Sequence, residues 1–454
     1  FGMLRGVVRF VVSERAQAEG NGERAVGTAL LIVGICSVGI SAGVYFSADA
    51  IASFYGKPIA SALQIMALSA PFMAVCWVFV SAIRALRIVL YDVYVMSVAG
   101  PLVLLVGGLG VGWLDLGLNG VAWVQFAMAV CTSLLAAYFF GRFFSFCACF
   151  QHLRQPVRLR EMAHFSLPVM VTDLLYAVLT QLDVLMLGFF VSAEMVGVYA
   201  LARRIASAML KAPQAFDPIF SSVVSELAVN ARYGELSARF SVLFRWILTI
   251  NLPIFASLLI VGDLLLTMIG GGKMQVLPEG DVAAGMQVLF ILSISMMLQG
   301  SFALAEPVLA MTGRPYLNFV NNTTWLCTNF VLNIIFIHFY SMGIVGAACG
   351  AFISTLCVNG LRLGQIYRQY AIWPFDLKQV KPLLAVVLAS LSGVLLRDVV
   401  AEPTVAVPVA LGAFVCVYGI GLAFLGVEEE DRKLAAIALR WVGKRLRRGS
   451  GSVR

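Results

Sequence analysis

Twelve runs of about 20 consecutive, mainly apolar residues dominate this sequence, and they restrict its fold more than any other feature. A helix needs about 20 such residues to cross the core of a bilayer. Runs that are continuous rather than alternating exclude membrane-spanning β-strands. The runs lie near residues 26–47, 61–83, 93–113, 118–140, 164–190, 196–222, 241–269, 285–311, 317–340, 343–366, 381–397 and 405–426. We therefore predict an all-α polytopic membrane protein.

The overall composition excludes several classes of protein. Of the 454 residues, 61% are hydrophobic and 12% are charged, whereas soluble domains carry roughly 25% charged residues. The chain is therefore neither a soluble enzyme nor a disordered protein, and it is not a nucleic-acid binder despite a pI near 9.1. None of the nine cysteines forms a Cys-x-x-Cys pair, so we expect no disulfide framework, no metal site and no cofactor.

Basic residues are distributed unequally between alternate loops. One set of connections, together with both ends of the chain, holds 23 Lys and Arg residues, and the other set holds only Lys57, Lys273 and Arg397. Cytoplasmic loops of membrane proteins carry the excess of basic residues. We therefore expect a multi-pass protein of the cell membrane with Arg15 and the C-terminus in the cytoplasm.

An internal repeat divides the chain. Residues 11–14 recur at 223–226, an offset of 212, and a Gly-x-x-Gly-x-Ala pattern at 117–122 recurs at 343–348, an offset of 226. An even number of helices in each copy indicates a parallel repeat. We predict four regions: an N-terminal lobe at 1–150, a C-terminal lobe at 161–370, an extra helix pair at 378–426, and a basic amphipathic tail at 427–454 that lies on the inner leaflet.

The repeat also makes a prediction about the start of the chain. Phe1 aligns with Pro213, whereas the second copy begins about 49 residues earlier, near His164. We therefore expect the first copy to lack its first helix and most of its second. A complete form would then have 14 spans, as two copies of six and one further pair.

The start of the second copy resembles a known family. It contains Phe165–Pro168 and Gln181–Asp183, followed by Leu187–Phe190 and Val196–Ala200. This pattern is similar to the polysaccharide flippases, which translocate O-antigen and lipid-linked oligosaccharides. They belong to the multidrug/oligosaccharidyl-lipid/polysaccharide exporter superfamily, together with the lipid II flippases and the multidrug and toxic compound extruders. The resemblance implies an alternating-access carrier with a central cavity.

Charged residues within spans are costly, and they indicate functional sites. Asp183 and Arg203 each lie ten residues from the turn near Ala193, about 15 Å along their helices. An ion pair between Asp183 and Arg203 or Arg204 is therefore easy to form. It could belong to a substrate site, or it could only hold together the two helices on either side of this turn. Arg204 and Lys211 share a helix face, which would suit a diphosphate or an acidic sugar. The alternative for Lys211 is snorkelling toward the cytoplasmic interface.

Other polar residues within spans are also candidates. Asp173, Asp217 and Glu306 could bind a coupling ion, and both Asp217 and Glu306 precede a proline that could kink the helix. Asn322 and Asn329 could contact sugar hydroxyls. Hydrogen bonding between helices is the alternative for both asparagines.

Three functions compete at this stage. A membrane enzyme requires a catalytic constellation, but no nucleophile motif, phosphate loop or metal-ligand spacing occurs. An extruder of small cations would favour acidic residues in the spans without a cationic stripe. We therefore predict a flippase for a lipid-linked oligosaccharide or polysaccharide precursor, with an ion-coupled multidrug extruder as the alternative. The expected partners are a polyprenyl-diphosphate-linked glycan, membrane lipids and either protons or sodium ions.

Overall fold

The computed structural model describes residues 2–16, 22–86, 88, 90–154, 159–270, 279–312, 314–399 and 403–424. Within these residues the regular structure is helical, with no β-strand. The chain divides into two compact units, Phe1–Thr180 and Gln181–Arg454. The division falls inside one long helix, Leu159–Phe190.

The described helices are numbered here in chain order. The first unit contains α1 Gly2–Ala16, α2 Glu23–Tyr55, α3 Ala60–Ala85, α4 Leu90–Leu114, α5 Gly117–Phe140, α6 Phe146–Arg154 and the first part of α7 Leu159–Phe190. The second unit continues with α8 Ala193–Ala206, α9 Lys211–Val229, α10 Tyr233–Gly270, α11 Glu279–Phe302, α12 Ala305–Met311, α13 Pro315–Asn333, α14 Gly343–Tyr370, α15 Val380–Val399 and α16 Pro403–Phe424. The described part of each predicted span lies on one of these helices or on a consecutive pair, except that the span at 317–340 continues from α13 into a π-helical turn, Ile334–Phe339.

Seven of the described helices are long and apolar enough to cross a membrane by length and composition. They are Glu23–Tyr55, Ala60–Ala85, Leu90–Leu114, Gly117–Phe140, Tyr233–Leu266, Val282–Met311 and Gly343–Tyr370. The other predicted spans are shorter or more polar: α8 and α9 are interrupted and charged, and α13 contains five asparagines. The chain is a multi-pass membrane protein, but several of its helices are not simple apolar spans.

The same turn occurs at the predicted repeat offset of 226 residues. In one unit Asp115 and Gly117 adopt positive φ angles of 49° and 60°, and in the other Ser341 and Gly343 adopt 52° and 54°. Glycine meets this requirement without a steric penalty. A second glycine, Gly120 or Gly346, follows each turn. A Cβ added there would lie 2.4 Å or 3.0 Å, respectively, from the Cβ of the residue four positions earlier. The Gly-x-x-Gly pattern is therefore a requirement of the turn in both copies.

Prolines determine where the helices of the second unit break. A proline removes the N–H that would bond to the carbonyl four residues earlier. Pro213 follows a 3₁₀ turn, Ser207–Leu210, that separates α8 from α9, and Pro307 follows the break between α11 and α12. α9 continues through Asp217 without a break, and the kink expected there stays a prediction. Pro253 lies within α10, and the Tyr418 hydroxyl of α16 donates to the Thr249 carbonyl at 2.7 Å.

The helices pack through small residues, as expected where lipid replaces water and van der Waals contact is the main attraction. The buried face of α14 includes Gly346, Ala347, Gly350 and Ala351, which allow α11 and α13 to approach closely. Large apolar side chains are exposed elsewhere, such as Trp113 at 95%. This distribution is that of a protein whose outer surface contacts lipid rather than water.

Candidate functional site

Asp183 is the centre of a buried polar cluster in the second unit. Its side chain lies on α7 and the residue is only 6% exposed. The Tyr199 hydroxyl of α8 donates to Oδ2 at 3.0 Å, and the Asn333 Nδ2 of α13 donates to Oδ1 at 2.9 Å. Arg203 Nη1 lies 3.9 Å from Oδ2. A buried carboxylate needs such donors, because burial without them carries a large desolvation cost.

Arg203 and Arg204 have different surroundings although they are neighbours in sequence. Successive residues of a helix differ by about 100° in direction, so only one of them can face Asp183. Arg203 does so, whereas the side chain of Arg204 is exposed. The sequence allowed either arginine to form the ion pair, and the structure pairs Arg203.

Lys211 is also exposed and begins α9 beyond the 3₁₀ turn. A continuous α-helix would place Arg204 and Lys211 on one face. Four residues of 3₁₀ helix rotate the chain further, so the two side chains differ by about 60° rather than about 20°. Both side chains still lie on the same half of the helix surface, and both positively charged residues are exposed in the described part of the chain.

Asn322 and Asn329 both form hydrogen bonds between helices. Arg362 Nη2 of α14 donates to Asn322 Oδ1 at 2.7 Å. Asn329 Nδ2 donates to Ser354 Oγ at 3.3 Å and its Oδ1 accepts from Asn333 at 3.1 Å. The structure therefore engages both side chains in the interhelical bonding that the sequence analysis gave as the alternative to sugar contact.

The three candidate residues for a coupling ion lie in different places. Asp173 is partly buried on α7 in the first unit, and Asp217 is exposed on α9. Glu306, at the start of α12, has a side chain that is 47% exposed, and its Oε2 lies 3.4 Å from Arg362 Nη2. Within the described residues, no group of three or more His, Cys, Asp or Glu side chains could hold a metal ion.

Three residues of this region were missed by the sequence analysis. Arg362 is one of the 23 basic residues that the charge pattern assigns to the cytoplasmic connections and chain ends, yet its side chain is 7% exposed within α14 and bonds to Glu306 and Asn322. Tyr199 lies within the Val196–Ala200 motif and Asn333 is one of the five asparagines of α13, but neither was a candidate. A basic residue within an apolar helix of 28 residues was the available signal for Arg362.

The helical fold and its long apolar helices define the class first: this is an all-α, polytopic membrane protein. The sequence profile of the family described as "Polysaccharide biosynthesis protein" matches residues 5–276. The match covers more than half of the chain, and the protein belongs to this family.

Individual relatives cover less of the chain. It is 27% identical over 175 residues to the "Probable flippase AglR" of Haloferax volcanii, a match that spans 38% of this chain and 35% of the relative. It is 23% identical over 228 residues to the "Multidrug export protein MepA" of Staphylococcus saprophyticus, spanning 49% and 48%. The chain thus spans about half or less of the length of the curated relatives it matches.

Solved structures share the fold at low sequence identity. The "Lipid II flippase MurJ, inward closed conformation" has a TM-score of 0.69 at 13% identity and covers 93% of this chain and 89% of its own. An inward-facing multidrug resistance MATE family transporter has a TM-score of 0.64 at 16% identity, covering 81% and 86%. These likenesses establish the fold that the sequence predicted.

Proposed function

We propose that this protein translocates a lipid-linked oligosaccharide or polysaccharide precursor across the cell membrane by alternating access. The observation that carries the proposal is the pair of exposed cations, Arg204 and Lys211, on helices of a chain that belongs to the polysaccharide biosynthesis protein family. A polyprenyl diphosphate carries the anionic group that such cations would bind. Transport rather than catalysis is the activity that this arrangement supports.

The charges beside the 3₁₀ turn between α8 and α9 support an anionic substrate. Asp183 offsets the charge of Arg203, so Arg204 and Lys211 remain as the net positive charge of this group. Arginine can bind a phosphate through two parallel N–H groups, whereas lysine acts as a point charge. A substrate that neutralises both residues would also lower the cost of holding cations within the bilayer.

The extruder alternative has a weaker basis in this part of the structure. A carrier of organic cations requires a carboxylate that can face its substrate. Asp183 is instead buried and accepts hydrogen bonds from two neighbours. Asp217 is exposed on α9 and is the residue on which that alternative would depend.

Further features belong to the same proposal. The repeats at 1–150 and 161–370 would be the two lobes that alternate, with 378–426 as the extra helix pair. The C-terminal tail, which lies outside the described residues, would face the cytoplasm. Protons or sodium ions would drive the cycle, with Asp173, Asp217 and Glu306 as the residues to examine.

The test uses proteoliposomes that contain a polyprenyl diphosphate sugar labelled with nitrobenzoxadiazole. Dithionite bleaches only the outer leaflet, so the bleached fraction reports translocation. A hydrogen bond to a charged group contributes about 1.5–3 kcal/mol, so Arg204→Ala should lower the rate roughly 10- to 150-fold. Arg204→Lys should retain part of the activity because it keeps the charge. The Arg204→Ala/Lys211→Ala double variant should be inactive.

Arg232→Ala is the matched control, because Arg232 is an exposed arginine that pairs with Glu235 outside this group. It should translocate the labelled lipid at the normal rate. Full activity in the double variant would remove the two cations from the mechanism. Export of ethidium by the wild-type protein without lipid movement would replace the proposal with the extruder.

A further inference from the structure

Polar side chains line the contact between α13 and α14 along most of its length. The two helices run antiparallel, and three hydrogen-bonded pairs mark the register: Asn329 with Ser354, Asn322 with Arg362, and Asn321 with Gln365. The last pair is reciprocal, with each carboxamide donating to the other at 2.8 and 2.9 Å. We call the polar residues of this contact the seam.

The seam contains several buried polar atoms that have no hydrogen-bond partner in the described chain. Among them are Trp325 Nε1, both polar atoms of the Asn359 carboxamide, Asn318 Oδ1 and Gln369 Oε1. Asn359 is only 4% exposed. Such atoms carry an uncompensated desolvation cost unless water reaches them. Their number in one helix contact indicates that the seam is hydrated.

The register shows where this water would lie. Asn322 and Asn329 are bonded to α14, and Trp325 lies between them, one turn from each. Asn359 lies one turn before Arg362 on the opposing helix. Trp325 and Asn359 therefore lie between the two hydrogen-bonded pairs that precede and follow them along the helices. Water at this position would connect the two pairs through continuous hydrogen bonds.

The seam ends at a carboxylate on each side. At one end Asn333 donates to the buried Asp183. At the other Asn318 donates to the Glu306 carbonyl at 2.9 Å, and the half-exposed Glu306 side chain contacts Arg362. Asn318 and Asn333 are 15 residues apart, so the seam is about 22 Å long. That length is most of the roughly 30 Å hydrocarbon core.

We propose that the seam is a hydrated path along which protons pass between Glu306 and Asp183. This inference rests on the proposed function, because it gives the carrier a route for its coupling ion. One proton leaves the water at the Glu306 end, and one proton joins the Asp183 carboxylate through the intervening water. Arg362 does not block the path electrostatically, because the Glu306 carboxylate lies beside it and offsets its charge.

Protonation of Asp183 would link the proton to the substrate. The titratable and charged groups that contact this carboxylate are Tyr199 and Arg203 on α8, and α13 contributes only the neutral Asn333. A neutral Asp183 adds one unit of positive charge to the group it forms with Arg203, Arg204 and Lys211. Proton binding would then strengthen binding of an anionic substrate, and the substrate would strengthen proton binding equally.

The hydration of the seam can be tested without any transport assay. Pulsed X-ray radiolysis in water oxidises buried side chains that contact bound water, and mass spectrometry locates the product. Trp325 should be oxidised in the wild-type protein, and Asn359→Leu should reduce its labelling at least five-fold. Ser293→Ala is the control, because Ser293 lies outside the seam and its buried hydroxyl has no described hydrogen-bond partner. This substitution should leave the labelling of Trp325 unchanged. No oxidation of Trp325 in the wild type would overturn the proposal.

Proton movement is measured in proteoliposomes loaded with pyranine under an imposed pH difference. Asn359→Leu and Trp325→Phe should each slow proton uptake at least five-fold, without lowering the apparent melting temperature. Normal proton uptake in both variants would show that the seam serves only packing. If these variants behave as expected while the labelled polyprenyl diphosphate does not move, the proton path stands and the proposed substrate is wrong.

Discussion

Tyr199→Phe tests how strongly the buried Asp183 cluster stabilises the second unit. Tyr199 is completely buried, and its hydroxyl donates to Asp183 at 3.0 Å. The substitution keeps the ring and removes one hydrogen bond to a carboxylate. It should therefore report the polar contact and not a loss of packing.

The expected magnitude follows from two limits. A hydrogen bond to a charged group contributes about 1.5–3 kcal/mol in soluble proteins. Interhelical hydrogen bonds in a membrane protein average about 0.6 kcal/mol and reach about 1.7. Because Asp183 is buried and retains the Asn333 donor, we expect a loss of about 1–2 kcal/mol. That loss corresponds to a fall of the apparent melting temperature by about 2–4 °C.

The assay is the loss of monodisperse protein on heating in detergent, followed by size-exclusion chromatography at one heating rate. Tyr340→Phe is the control, because Tyr340 is 69% exposed and no described contact involves its hydroxyl. It should change the apparent melting temperature by less than about 0.5 °C, as surface substitutions usually do. A Tyr199→Phe variant as stable as this control would refute the argument that the hydroxyl supports the carboxylate.

Three further predictions concern other parts of the chain. In single-cysteine variants, maleimide at pH 7.5 should label the exposed Cys147 but not the buried Cys149. Burial raises the pKa of the Cys149 thiol to about 12 and keeps it protonated, so its labelling should increase only as the pH rises toward that value. Cysteine introduced at Lys57 should react with a membrane-impermeant reagent in whole cells, whereas cysteine at Arg232 should not, and the reverse result would invert the topology. Tyr418→Phe should lower the apparent melting temperature by about 1–4 °C, because the Thr249 carbonyl, which Pro253 cannot bond, would lose its donor. An unchanged melting temperature would show that α16 is held by packing alone.

The sequence by itself determined the helices and the class of protein. Runs of about 20 apolar residues can bury their backbone polar groups in lipid only as helices, so their lengths and positions were readable without a structure. The repeat was also readable, since the turn before α5 and the turn before α14 need glycine at matching positions for steric reasons. Local geometry of this kind depends on residues that are close in sequence.

Only the tertiary structure decided which polar side chains meet. Asp183 is bonded to Asn333, 150 residues away, and Asn322 to Arg362, 40 residues away. Helical periodicity assigns a residue to a face, but the partner of that face depends on how the helices pack. The same packing selected Arg203 rather than Arg204 for the ion pair and buried Arg362 within a helix contact. A buried charge requires a partner, and the arrangement of the helices determines which partner is within reach.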